Sequence, residues 1–114
     1  MNEKFVALFD RLFAAGGILS YHGVVESDVP SPEMHVSVAR LEAQLAHLRA
    51  RYAVIPLREL FDRRARGRST NRCVSITFDD AYCGVERLAA PILSQLDVPA
   101  TIFVTVEAAA QYDS

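Results

Sequence analysis

The hydrophobic positions of this chain follow two patterns, helical spacing and short continuous runs. An N-terminal helix is predicted within residues 1–21, from apolar side chains three or four positions apart. These are Phe5, Leu8, Phe9, Leu12 and Phe13. The stripe has no basic polar face of the kind that binds membrane surfaces, so we expect it to pack on the core.

Three further helices are predicted. One runs from about Ser37, a suitable N-cap, to Arg51. Another covers residues 57–66, with Leu57, Leu60 and Phe61 directed inward. The last covers residues 85–96 and contains Pro91, which should weaken or kink it.

Four apolar runs predict strands, and residues 24–32 between the first and second runs are predicted to be a loop. The runs are residues 18–21, 52–56, 74–78 and 100–105. Alternating helices and strands indicate a single α/β domain, residues 1–114, with a parallel sheet. Four strands are too few to close a barrel, which needs about eight.

Two adjacent carboxylates, Asp79 and Asp80, follow the run that ends at Phe78. Unpaired charges are costly inside a buried strand, so both should lie where the strand emerges. In α/β folds, sites are built at these strand ends. Metal binding or acid–base chemistry is one interpretation, and capping of the next helix is the other.

The three histidines show no metal-ligand spacing. His22 follows the first strand and is either a site residue or a structural one. His35 is predicted to be a surface residue, and His47 to be solvated on the polar side of its helix.

Composition narrows the function classes further. The chain has 114 residues, 51% of them hydrophobic, and a net charge of -2, which gives no reason to expect nucleic acid as a partner. Cys73 and Cys83 should be buried small residues in a reducing compartment. The sequence shows neither a signal peptide nor a membrane anchor, so the default location is the cytoplasm.

Thr77-Phe78-Asp79-Asp80, followed by the segment 96–104 (LDVPATIFV), resembles the first motif and the next strand of the polysaccharide deacetylases, carbohydrate esterase family 4. Two upstream segments, 19–24 (LSYHGV) and 45–60, are also similar to this family. The resemblance covers roughly residues 18–105.

The resemblance implies part of a distorted (β/α) barrel that removes acetyl groups from carbohydrate by hydrolysis. The bonds that it cleaves would include carbon–nitrogen bonds that are not peptide bonds. It implies a divalent metal, with zinc the first expectation. By motif position, Asp79 would be the general base and Asp80 a metal ligand. His22 and Tyr82 are candidate residues of the site wall. Ala81 replaces a family glycine.

The family's second metal motif, His-x-x-x-His, is not found in this sequence. One carboxylate ligand is too few for zinc, which normally has three protein ligands and a water. We therefore expect the N-terminal portion of a deacetylase domain, apparently truncated and inactive alone. The substrate of the complete domain would be acetylated polysaccharide. Its location could also be the cell envelope.

Two other interpretations stay open. A non-catalytic, truncated module could bind carbohydrate or a protein partner, and its exposed strand edges could pair in a homo-oligomer. A receiver-like domain would also place paired acids around magnesium, but it predicts a lysine after a later strand, and the only lysine is Lys4.

Overall fold

The structure, a computed structural model, describes residues 3–26, 35–79 and 85–103. The α-helices are α1 (Glu3–Leu12), α2 (Val38–Arg51), α3 (Leu57–Ala65) and α4 (Ala90–Leu96), and a π-helical turn covers Val85–Ala89. The strands are β1 (Gly17–Tyr21), β2 (Gly23–Val25), β3 (His35–Ser37), β4 (Ala53–Val54), β5 (Cys73–Phe78) and β6 (Thr101–Ile102).

Strand β5 is the centre of a four-stranded parallel sheet. Strand β1 pairs with it along its whole length, from Gly17 opposite Val74 to Tyr21 opposite Phe78. On the other edge, β4 pairs with the start of β5 and β6 with its end. The predicted α/β class and parallel sheet are therefore confirmed, and the described strands do not close a barrel.

All six residues of β5 are buried, as expected of a parallel strand covered on both faces. Val74, Ile76 and Phe78 alternate along one face and join the main core, together with residues of α2. Ser75 and Thr77 lie on the opposite face, and each hydroxyl has a partner. The Ser75 hydroxyl donates to the Ile55 carbonyl at 2.8 Å, so burial leaves it satisfied.

Helix α2 forms where its apolar period and its cap predict it. The Ser37 side chain accepts a hydrogen bond from the Arg40 backbone N–H at 3.2 Å, which satisfies one free N–H of the first turn. Leu41, Leu45 and Leu48 are completely buried against the sheet. The predicted boundaries of this helix are confirmed to within one residue.

Helix α1 packs on the core with only part of its predicted stripe. Phe9 and Phe13 are buried, whereas Leu8 and Leu12 are 50% and 60% exposed. The two phenylalanine rings contact each other, with centroids 5.5 Å apart. The chain turns into β1 at Gly16, whose φ is +93° and where a Cβ would lie 2.3 Å from the Thr70 carbonyl oxygen.

Pro91 lies beside an interruption of the predicted helix, in line with the expectation that it weakens or kinks that helix. The segment predicted as one helix divides into the π-helical turn and α4, so that Pro91 lies in the first turn of α4. The first backbone N–H groups of a helix have no partner within it, and proline loses nothing there by lacking one. Among the described residues, no helix is long and apolar enough to span a membrane.

Three other predictions were wrong in detail. Val24 and Val25, predicted to be loop residues, belong to β2, which pairs in parallel with β3 in a separate two-stranded sheet. Phe61, predicted to be directed inward, is 54% exposed, and the fully buried residue of α3 is Leu60. Strand β6 is shorter than predicted within the described residues, which end at Phe103.

His47 is not solvated, contrary to our prediction. Its ring lies between Phe9 and Tyr52, with centroids 6.4 and 6.5 Å away, and its Nε2 atom is buried without a hydrogen-bond partner. Burial, and then the nearby Arg51 charge, lower the pKa of His47. The Tyr52 hydroxyl donates to the Asp10 carboxylate, which lowers the pKa of Asp10. This cluster joins α1 to α2.

Candidate active site

Asp79 lies immediately beyond the carboxyl end of the central strand. Its backbone N–H donates to the Tyr21 carbonyl at 2.9 Å, so the ladder between β1 and β5 continues one residue past Phe78. Its side chain is 37% exposed. A carboxylate at this position is held by a buried strand and is still open to a ligand, as predicted from the end of the apolar run.

His22 lies beside Asp79. Its Nδ1 atom is 3.8 Å from the Asp79 Oδ2 atom, and its side chain is 45% exposed. The register explains the proximity, because Tyr21 and Phe78 are paired across the two strands and the next residues leave the sheet together. The structure thus brings the candidate base and a candidate wall residue together, while their roles stay predictions.

The other two candidate site residues, Asp80 and Tyr82, lie outside the described residues, as does Cys83. Cys73, the other cysteine, is buried as predicted. The Arg63 guanidinium lies 3.6 Å from its sulfur and also pairs with Glu59 at 3.1 Å.

A pocket of about 390 Å³ opens on the other side of His22. We call it the β1–α2 pocket, because residues from the end of β1, from β3 and from the first turns of α2 line it. The lining residues are Ser20, Tyr21, His22, His35, Val36, Arg40 and Gln44. Its volume is within the range of roughly 300–1,000 Å³ that is usual for small-molecule sites.

Tyr21 connects this pocket to the sheet. The ring is buried and stacks on Phe78, with centroids 5.4 Å apart, and its hydroxyl donates to the Gln44 Oε1 atom at 2.6 Å. Burial raises the pKa of Tyr21, so the phenol stays protonated. Next to it, the Ser20 and Thr77 hydroxyls lie 2.7 Å apart and hold β1 on β5 at the same level.

Sequence reasoning missed three pocket residues, His35, Arg40 and Gln44. His35 was interpreted as a surface residue, but it is half-buried and paired with Gly23 across β2 and β3. A usable signal was present for the other two. Once Ser37 is accepted as N-cap, Arg40 and Gln44 lie one turn apart on the same face of α2.

The arginine-rich segment after α3 does not add to this site. Arg66 pairs with Asp62 at 3.0 Å. Arg72 donates to the Arg51 carbonyl at 2.9 Å, and its guanidinium carbon lies 4.5 Å from the centre of the Tyr52 ring. These contacts give Arg66 and Arg72 structural roles.

The described residues do not form a metal site by themselves. Within residues 3–26, 35–79 and 85–103, no group of three or more His, Cys, Asp or Glu side chains is placed to hold a metal ion. Asp79 and His22 supply two donors at most. Zinc sites in enzymes use three protein ligands and a water, so these residues do not fit a complete site.

The fold and this site define an α/β protein with a carboxylate and a histidine at the carboxyl ends of adjacent parallel strands. Residues 66–114 match the family model of the polysaccharide deacetylases. The family resemblance inferred from the sequence is thereby confirmed. A comparison with curated proteins gave no match.

Solved structures of deacetylases share the fold. IcaB from Ammonifex degensii is 31% identical, with a TM-score of 0.62, and the match covers 76% of this chain and 36% of that one. The de-N-acetylase from Aggregatibacter actinomycetemcomitans is 28% identical, with a TM-score of 0.61 and coverage of 75% and 36%.

The deacetylase PplD from Streptococcus pyogenes, in complex with acetate, is 26% identical, with a TM-score of 0.64 and coverage of 76% and 41%. The chain therefore spans about two fifths or less of the length of these solved structures.

Proposed function

We propose that this chain supplies the general base of a polysaccharide deacetylase that releases acetate from N-acetylated carbohydrate. The observation that carries the proposal is the pair of Asp79 and His22 at the ends of adjacent strands, 3.8 Å apart, within a fold shared with deacetylases. The amide specificity is supported by the neighbours, because one is described as a de-N-acetylase.

In this mechanism, the Asp79 carboxylate accepts a proton from water as the water oxygen attacks the acetyl carbonyl carbon. The carbon–nitrogen bond then breaks, the nitrogen takes up a proton, and acetate and a free amine are formed. His22, whose Nδ1 atom lies 3.8 Å from the Asp79 Oδ2 atom, would help to position this carboxylate.

The metal is a separate part of the proposal. A divalent ion, zinc or another, would polarise the acetyl carbonyl as a Lewis acid. Asp80 is proposed as one ligand on its motif position alone, and histidines outside this sequence would have to complete the set. No step above depends on the ion, because the described residues do not form its site.

The test uses the native protein purified from its source. It measures acetate release from chitin oligomers, peptidoglycan and acetylated xylan, and it also measures the bound metal and the intact mass of the protein. Asp79→Asn should lower acetate release by about 100-fold or more, the usual contribution of a general base. Bound metal should be unchanged. Asp62→Asn, which removes an exposed carboxylate of α3, is the matched control and should keep full activity.

Retention of wild-type activity by Asp79→Asn would show that Asp79 is not the base. A second candidate function is a non-catalytic module that binds carbohydrate, and the polar side chains that line the β1–α2 pocket support it. It predicts that no substrate releases acetate even with added zinc, while an oligosaccharide still binds.

A further inference from the structure

The β1–α2 pocket is lined mostly by residues with polar side chains. Of its seven lining residues, only Val36 is aliphatic, and the others carry hydroxyl, imidazole, guanidinium or amide groups. None of the described lining residues is Asp or Glu. The lining therefore includes one positively charged group, the Arg40 guanidinium, beside side chains that can donate hydrogen bonds.

Gly23 sets the position of His35 in this lining. A Cβ at Gly23 would lie 2.6 Å from His35 Cδ2 and 2.9 Å from its Nε2. The imidazole therefore lies directly on the glycine backbone, in space that any side chain would fill. The pairing of Gly23 with His35 across β2 and β3 fixes the same arrangement from the backbone side.

Arg40 and Gln44 supply donors from the opposite wall. The Gln44 oxygen already accepts from the Tyr21 hydroxyl, so its amide N–H₂ group is the part left to donate. Arg40 and His35 make other contacts within the chain. A guanidinium has five N–H donors in a planar fork, so Arg40 can keep such a contact and still bind a ligand oxygen.

We propose that the β1–α2 pocket binds an anionic group, a carboxylate or a phosphate. Both offer several acceptor oxygens and no donor when ionised, which matches the Arg40 guanidinium and the Gln44 amide N–H₂ group in this lining. Arginine pairs with either group through two parallel hydrogen bonds. A neutral sugar, whose hydroxyls both donate and accept, would gain less from this lining.

The pocket lies next to the proposed catalytic base, since His22 both lines it and contacts Asp79. This part of the inference rests on the proposed function. The anionic group would belong to the same carbohydrate, on a residue adjacent to the acetylated sugar. The enzyme would then prefer polysaccharides that carry a uronic acid, a carboxyalkyl ether or a phosphate near the acetamide.

The experiment uses the isotope-labelled protein, which does not need to be catalytically active for this measurement. Inorganic phosphate, glucuronate and glucose are titrated separately, and backbone amide shifts are followed by NMR. We expect phosphate or glucuronate to shift the amides of Ser20, His35 and Gln44, and glucose to leave them unchanged. Arg40→Gln should weaken anion binding about tenfold or more, the usual loss for a charge-assisted hydrogen bond.

Arg49→Gln, which removes an exposed arginine nine residues further along the same helix, is the matched control and should bind like the wild type. Binding of phosphate alone would assign the site to phosphorylated carbohydrate, and binding of glucuronate alone to uronates. Equal shifts with glucose, no shifts at all, or full binding by a folded Arg40→Gln variant would overturn the proposal. Asp79 does not line the pocket, and removing its negative charge should not weaken anion binding, so loss of acetate release in Asp79→Asn can be told apart from loss of anion binding.

Discussion

The hydrogen bond between Tyr21 and Gln44 gives the sharpest test of how the site is held. Tyr21→Phe removes a hydroxyl that donates at 2.6 Å and keeps the ring, which is only 8% exposed and stacks on Phe78. Because packing is preserved, the loss should be that of one hydrogen bond, about 1 kcal/mol of unfolding free energy. In a chain of this length, that corresponds to a melting temperature about 4 °C lower.

A double-mutant cycle isolates this bond from other effects of the two side chains. Unfolding in urea is followed by circular dichroism for Tyr21→Phe, Gln44→Ala and the double variant, and the coupling energy should be about 1 kcal/mol. The matched control pairs Tyr21→Phe with Glu42→Ala, an exposed position of the same helix, and should give additive changes. A coupling energy below about 0.3 kcal/mol for the Gln44 cycle would refute this role of the bond.

Two further predictions concern stability away from the site. Burial lowers the pKa of His47 in the folded protein, so as the pH falls this histidine is protonated in the unfolded chain before it is protonated in the folded one. The free energy of unfolding should therefore decrease below about pH 6.5, the ordinary histidine value. His47→Phe should flatten this decrease in urea midpoints between pH 7.5 and 5.5, and an unchanged slope would contradict it. Asp97 ends α4 with a φ of 54°, a backbone conformation that glycine adopts without strain. The Asp97→Gly variant should therefore be about 1 kcal/mol more stable than Asp97→Ala in thermal unfolding. Equal stability of the two variants would count against backbone strain at this position.

The sequence was informative where local signals and tertiary packing agree. The Ser37 cap and the leucine period located α2, and the apolar run that ends just before Asp79 located the central strand. It was less informative where one tertiary contact decides the outcome. Nothing local shows that His47 is enclosed between two rings from different elements, or that Leu12 stays exposed while Phe9 is buried.

The site was predictable only in part for the same reason. Asp79 could be assigned to a strand end from the sequence, whereas its contact with His22 depends on which strands are neighbours. The β1–α2 pocket depends on β2 and β3, two strands of three residues each, too short for a reliable period. Such short strands depend on the elements that they pack on, here α2 and the π-helical turn, more than on local propensity.

The pairing of β1 with β5 also sets an order of events during synthesis. Ser20 and Thr77, which face each other across these strands, are 57 residues apart. At typical translation rates of about 5–20 residues per second, β1 would wait about 3–11 s on the ribosome before its partner is made. A contact between such distant segments also slows folding, because a long loop must close before the contact forms. The candidate site, which is built on this pair of strand ends, can therefore be assembled only after β5 has been made.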